Sequence, residues 1–185
     1  MTNSTLSNFK AKDEHGNALI CLKVFQRHDQ KGMDHPIYGV YHQEINGTFW
    51  LSIAQTHDLK TWKFHNFLDR NASQGTIQPL NDGSFLLAYE RNNASGCLIR
   101  MRHYKTMDHL LKGVYFDQFD IARTLAPSAE GTPSFEFVNV NNGDIHNSTI
   151  RMRFHFFKGA DADEQAMGEL INFEKWNVIH QPSMQ

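Results

Sequence analysis

Glu130 opens the run Ala129-Glu130-Gly131-Thr132-Pro133-Ser134-Phe135-Glu136-Phe137, in which a carboxylate precedes a Gly-Thr-Pro bend and then a strand-like alternation. An acid at the mouth of a strand sits on a rigid element, which suits catalysis better than a floppy loop does. It serves as a general acid when burial or a neighbouring carboxylate holds its proton, and it then needs an ionised carboxylate as partner. The same placement also reads as a carboxylate bonded to turn amides or to an arginine, with the bend purely structural.

A second constellation comes from aligning three strand-like runs, each ending in an aromatic followed by a polar residue: Tyr41-His42, Tyr89-Glu90 and Phe154-His155. If these strands superpose, the pairs converge on one mouth. Glu90 is then the candidate second carboxylate, His42 and His155 bond a ligand, and Tyr89 stands beside them. The plainer reading makes the aromatics core and the polar ends solvent-facing. Trp50 and Trp62 have rings that can stack on a ligand, although Trp62 reads better as packing.

These residues lie on short apolar or alternating runs separated by turns, without a helix-length 3.6-residue pattern. Asn46-Gly47 is a two-residue hairpin signal. The bend recurs as Gln74-Gly75-Thr76-Ile77-Gln78-Pro79, and 56 residues separate Thr76 from Thr132. Matching the two bends sets Gln74, which cannot ionise, opposite Glu130. Trp62 and Trp176 are 114 residues apart, two periods of 57, close to that spacing. Three units of about four strands follow, near 18–70, 71–126 and 127–180, after a polar N-terminal segment 1–17 expected to fray. Four-stranded sheets repeated at this spacing predict an all-β chain, a β-propeller with about three blades. Propellers close with four to eight blades, so the expectation is completion by a missing segment or another copy.

Composition narrows the partners. A formal net charge of −2 lacks the basic face that nucleic acid requires. Arg100, Arg102, Arg151 and Arg153 alternate as one solvated sheet face would. Among the 11 histidines there is no HxH, HExxH or His-Cys pairing, so neither metal nor cofactor is expected. Asp161, Asp163 and Glu164 form an acidic loop, read as solvated rather than as a Ca²⁺ or substrate site. Cys21 and Cys97 lie in apolar runs and are expected as buried free thiols. No run of 18 apolar residues predicts a membrane helix. Met1–Thr5 is not signal-like, and the compartment stays open: extracellular if a leader has been removed.

Ala54-Gln55-Thr56-His57-Asp58-Leu59-Lys60-Thr61-Trp62 resembles the A-x-S-x-D-L-x-x-W outer hairpin of five-bladed propeller glycoside hydrolases, the family-43 arabinanase and xylosidase type and its invertase-like relatives. Phe173-Glu174-Lys175-Trp176 echoes it more weakly. The ordered segments ASQGTIQP, SFLLAYE, AEGTPSF and DADEQAMGELINF resemble a divergent branch of that clan, found mostly in secreted microbial proteins, over about residues 35–180. The resemblance implies a five-bladed type of propeller and cleavage of glycosidic bonds, with a carbohydrate as ligand. It also implies an Asp base in the first blade, a pKa-tuning Asp in the second and a Glu acid in the third. Glu130 matches the third role. Gln74 departs from the second, where its hydroxyl-bonding amide suits substrate binding instead. For the first, Asp34 and Asp13 are the candidates. The alternative implied by these departures is a non-catalytic carbohydrate-binding propeller or an inactive fragment.

Overall fold

The computed structural model describes residues 11–32, 34–157 and 163–180, with the side chain of Asp163 excluded. Twelve strands form three four-stranded antiparallel sheets in chain order. The first holds β1 (Ile20–Phe25), β2 (Ile37–Ile45), β3 (Thr48–Thr56) and β4 (Lys63–Arg70). The second holds β5 (Ala72–Pro79), β6 (Phe85–Asn93), β7 (Gly96–Tyr104) and β8 (Asp117–Ile121). The third holds β9 (Glu130–Val140), β10 (Ser148–Phe157), β11 (Asp163–Ile171) and β12 (Lys175–His180). Strand β5 packs on the first sheet and β9 on the second, so the sheets stack as successive blades. The chain is an all-β propeller array.

Burial patterns report each sheet's neighbours. In β6, Phe85, Leu87 and Tyr89 enter the seam with the first sheet, while Leu86 and Ala88 enter the seam with the third. Both faces of β6 are covered, so its sequence reads as an unbroken apolar run. Strand β10 is covered on one face: Ile150, Met152, Phe154 and Phe156 are buried and Arg151, Arg153 and Phe157 are exposed. Each fully buried Leu, Ile or Phe stabilises the fold by about 1.5–3 kcal/mol, which makes the two apolar seams the main cohesive element.

Strand β2 is buried on both faces although, among the described residues, no sheet stands outside it. Residues 11–19 fold over that face, with bridges Lys12–Ala18 and Asp13–Trp62. Leu19, Tyr41, Ala54 and Trp62 form the resulting cluster, with Ala11 and Leu22 against it. The expected fraying therefore does not extend to residues 11–17. Asp13 organises them, taking the amides of His15 (3.0 Å) and Asn17 (2.9 Å) and the hydroxyl of Tyr41 (3.3 Å).

Local signals explain the turns. Asn46 (φ 51) and Gly47 (φ 73) join β2 to β3 with both turn residues left-handed, the conformation that matches strand twist. In the next hairpin Asp58 accepts the amides of Lys60 and Thr61, each at 2.8 Å, and Thr56 Oγ1 accepts that of Leu59 at 3.0 Å. The Thr61 and Lys60 amides hold the Asp58 carboxyl down at about 2. The connection after β7 contains a short helix, α1 (Met107–Lys112), that the periodicity had not predicted. Thr106 caps it and Gly113 ends it in the left-handed region, which is enough for six residues.

Candidate functional site

The first strand of each sheet carries one residue in the left-handed region: Cys21 (φ 53), Gln74 (φ 50) and Thr132 (φ 48). At each of them the pairing with the second strand slips. A bulge of this kind bends the strand and re-aims the residue it carries. The residues paired just before the slips are Ile20 with His42, Ser73 with Glu90, and Gly131 with His155.

This register corrects the one read from the two bends. Gln74 stands opposite Thr132, and Glu130 stands opposite Ala72. The Gly-Thr words are out of phase because the two glycines serve different neighbours. A β-carbon on Gly75 would stand 2.7 Å from Leu51 Cδ1, whereas one on Gly131 would run into the Glu90 carboxylate. Each glycine sits where a side chain of the preceding sheet approaches the backbone.

Cys21, Gln74 and Thr132 converge on a cleft of about 450 Å³, lined also by Lys23, Glu136, Arg153, His155 and Gln165. Arg153 Nε pairs with Glu136 Oε1 at 2.9 Å. Gln165 Nε2 lies 3.1 Å from His155 Nε2. The cleft is therefore a ring of amide, hydroxyl, imidazole and guanidinium groups around the point where the three first strands meet. Cys21 is exposed here rather than buried: the bulge turns it out of the apolar alternation that its sequence neighbours suggest. Cys97 is half-buried and free, and burial beside Glu90 pushes its thiol up to about 12.

Of the residues expected to form a site, Gln74 and His155 reach the cleft. His42 lies just behind it, 4% exposed, and its Nδ1 accepts the Gln74 amide at 3.3 Å. Burial holds its imidazole below the ordinary histidine value, against a smaller upward pull from Glu90. Glu90 spans the seam between the second and third sheets. Its Oε1 accepts the Thr132 amide (2.7 Å) and hydroxyl (2.9 Å), and its Oε2 accepts the Ser73 hydroxyl (2.8 Å).

Glu130 is 1% exposed and does not line the cleft. Its Oε1 accepts the amides of Thr124 (2.6 Å), Leu125 (2.5 Å) and Ala126 (3.1 Å), so it gathers the loop between β8 and β9. Among the described residues its Oε2 is buried without a hydrogen-bond partner. Tyr89 is fully buried and donates to Asp69 Oδ2 at 2.8 Å, which leaves it no surface for a ligand. Asp34 is exposed on the loop between β1 and β2, away from the cleft. Trp62 is packed, 2% exposed, and Trp50 lies against Phe67 with ring centroids 4.9 Å apart. Asp161 lies outside the described residues. Among the described residues no three His, Cys, Asp or Glu side chains converge as metal ligands.

The sequence reading missed one charged cluster. Asp69 Oδ2 lies 3.2 Å from Arg100, 3.3 Å from Arg102 and 3.5 Å from Arg91. Arg102 is only 6% exposed and also donates to the Leu68 carbonyl at 2.7 Å. The expected solvated face thus holds for Arg151 and Arg153 and fails for Arg100 and Arg102, whose sheet has a neighbour on that side. Sequence alternation reports a face but not what stands opposite it.

No protein-family model matches this sequence, and no curated protein matches it. Solved structures do. A proposed glycoside hydrolase from Parabacteroides distasonis ATCC 8503 matches with TM-score 0.58 and 13% identity, over 89% of this chain and 50% of that one. The alpha-L-arabinanase of Penicillium chrysogenum, complexed with arabinobiose, matches with TM-score 0.57 and 12% identity, over 91% of this chain and 54% of that one. The fructofuranosidase of Schwanniomyces occidentalis, complexed with fructose, matches with TM-score 0.57 and 13% identity, over 91% of this chain and 35% of that one. The chain spans about half the length of the first two and a third of the last. At such identities the likeness is one of fold, and it agrees with the strand order and sheet stacking above: the chain has the β-propeller architecture of glycoside hydrolases of the arabinanase and fructofuranosidase type.

Proposed function

We propose that the cleft at Gln74, Thr132 and His155 binds a carbohydrate, and that the chain supplies the ligand-binding blades of a glycoside hydrolase-type propeller. The observation that carries this reading is the convergence of three left-handed strand residues on one polar cleft. Amide, hydroxyl and imidazole groups there offer donors and acceptors at the close spacing that sugar hydroxyls need. The neighbours crystallised with arabinobiose and with fructose support the ligand class.

Hydrolysis by these residues alone has weaker support. Glycosidic cleavage uses two carboxyl groups about 5–9.5 Å apart across the bond. Glu136, the carboxylate lining the cleft, is tied to Arg153. Glu90 already accepts three hydrogen bonds, and one oxygen of Glu130 accepts three more. The second reading keeps Glu130 as the acid, with Glu90 as the other carboxylate. It is favoured by the unpartnered Glu130 Oε2.

Titration calorimetry with arabino- and fructo-oligosaccharides tests the first reading, with reducing-sugar release measured on the same panel. Binding by the wild type, weakened at least tenfold in Gln74→Ala and without sugar release, is the expected result. No binding across the panel would sink it. Sugar release by the wild type, abolished in Glu130→Gln with binding intact, would establish the second reading instead.

A further inference from the structure

The two seams between sheets share one device. At each strand bulge the pairing passes over the left-handed residue: Ser73 and Thr76 pair with the second strand while Gln74 does not, and Gly131 and Ser134 pair while Thr132 does not. The backbone N–H of each therefore needs an acceptor from elsewhere. Both find it in the preceding sheet, at the same position of that sheet's second strand: His42 Nδ1 for Gln74 and Glu90 Oε1 for Thr132. We infer that His42 and Glu90 are positioning residues of the cleft, each holding the left-handed residue of the next sheet and so the side chain it presents to a ligand. This rests on the carbohydrate-binding reading for its purpose, though not for its geometry.

The two latches differ chemically. Glu90 is a carboxylate that grips Thr132 through both amide and hydroxyl and is braced by Ser73. His42 accepts a single bond through a neutral imidazole. A protonated imidazole has donors on both nitrogens and no acceptor. The Gln74 amide would then face a donor, and the latch would open while Thr132 stayed in place. The groups around the ring are the Phe49 edge from β3, the Gln74 backbone from β5 and the Glu90 charge from β6. Burial, the largest influence, keeps the imidazole neutral to a lower pH than a free histidine, so the opening is expected below pH 6.5.

The test needs no ligand. Amide exchange and chemical shifts of Gln74 and Thr132 are followed by NMR on the full chain between pH 7.5 and pH 5. The Gln74 amide should shift with the His42 ring titration and lose at least tenfold in protection factor (its exchange rate relative to the intrinsic rate at the same pH) at the acid end, with the Thr132 protection factor unchanged. His42→Asn, which keeps an acceptor without titrating, should make the Gln74 profile flat. His42→Phe should leave the Gln74 amide poorly protected, relative to its intrinsic rate, at every pH. A Gln74 amide indifferent to His42 titration, or equally protected in His42→Phe, would overturn the proposal. A merely structural histidine would shift the melting temperature without this selectivity. Failure of the oligosaccharide panel would count against the ligand class and leave this result standing.

Discussion

The indole of Trp62 closes over Gly39, so that a β-carbon at that position would stand 2.9 Å from Cζ3 and 2.5 Å from Leu22 Cδ1. The contact seals the outer face of the first sheet and gives both the glycine and the tryptophan of the outer hairpin a packing role. Gly39→Ala is expected to destabilise the chain by about 1–3 kcal/mol through overpacking, lowering Tm by about 3–8 °C in a thermal melt. An unchanged melt would mean that the indole can move aside without cost.

Asp69 neutralises a buried guanidinium between the first two sheets. Asp69→Ala removes the charge partner of Arg102 and the acceptor of Tyr89. Leaving a buried charge unpaired costs about 3–5 kcal/mol, which a urea titration would read as a lower midpoint at unchanged slope. Arg151→Ala, on the exposed face of the third sheet, breaks a pair of the surface kind and should cost no more than about 1 kcal/mol.

Glu130 holds the loop at residues 122–129 through three amides. Glu130→Ala should destabilise by about 2–4 kcal/mol, because three donors lose a charged acceptor at once. Glu130→Gln keeps one acceptor oxygen and should cost less. Hydrogen exchange should speed up in that loop in both variants, more in the alanine form. Exchange confined to wild-type rates there would remove the structural role and strengthen the acid role.

Buried His42 and half-buried His65 predict a loss of stability in mild acid. Burial lowers the values of both His42 and His65, the latter with help from Lys63. A histidine depressed in the folded state contributes fully above its unfolded value of 6.5 and loses that contribution as pH falls towards the folded value. Asp58, held at about 2, loses its contribution only between 3.8 and about 2. Denaturation midpoints should therefore decline between pH 6.5 and pH 5, and His42→Asn should reduce the decline. A flat profile over that range would contradict the assignment.

Much of the architecture is legible in the chain because strand alternation and turn chemistry are local. Asn46-Gly47 and the Thr56–Trp62 hairpin form as their residues require, and the aromatic-polar endings of β2, β6 and β10 do occupy equivalent positions. The bulges were not legible. A left-handed Gln, Thr or Cys has no sequence signature, since those residues rarely adopt φ near +50°, and the constraint comes from the neighbouring sheet. Without the bulges the two Gly-Thr words align by identity, and Glu130 falls opposite Gln74.

By itself the sequence determined that this chain makes three antiparallel sheets, because periodicity, β-branched and aromatic content and turn residues act within a few positions. It also selected His42, Glu90 and His155 as a matched set. Only the tertiary structure decided what each does. Tyr89 and Arg102 are interior because a sheet stands opposite, and Glu130 turns away from the cleft to serve three amides. Gln74 reaches the cleft because a bulge aims it there and His42 keeps it. Those outcomes depend on which groups of one sheet must satisfy the polar atoms of the next, and that pairing exists only once the sheets are stacked.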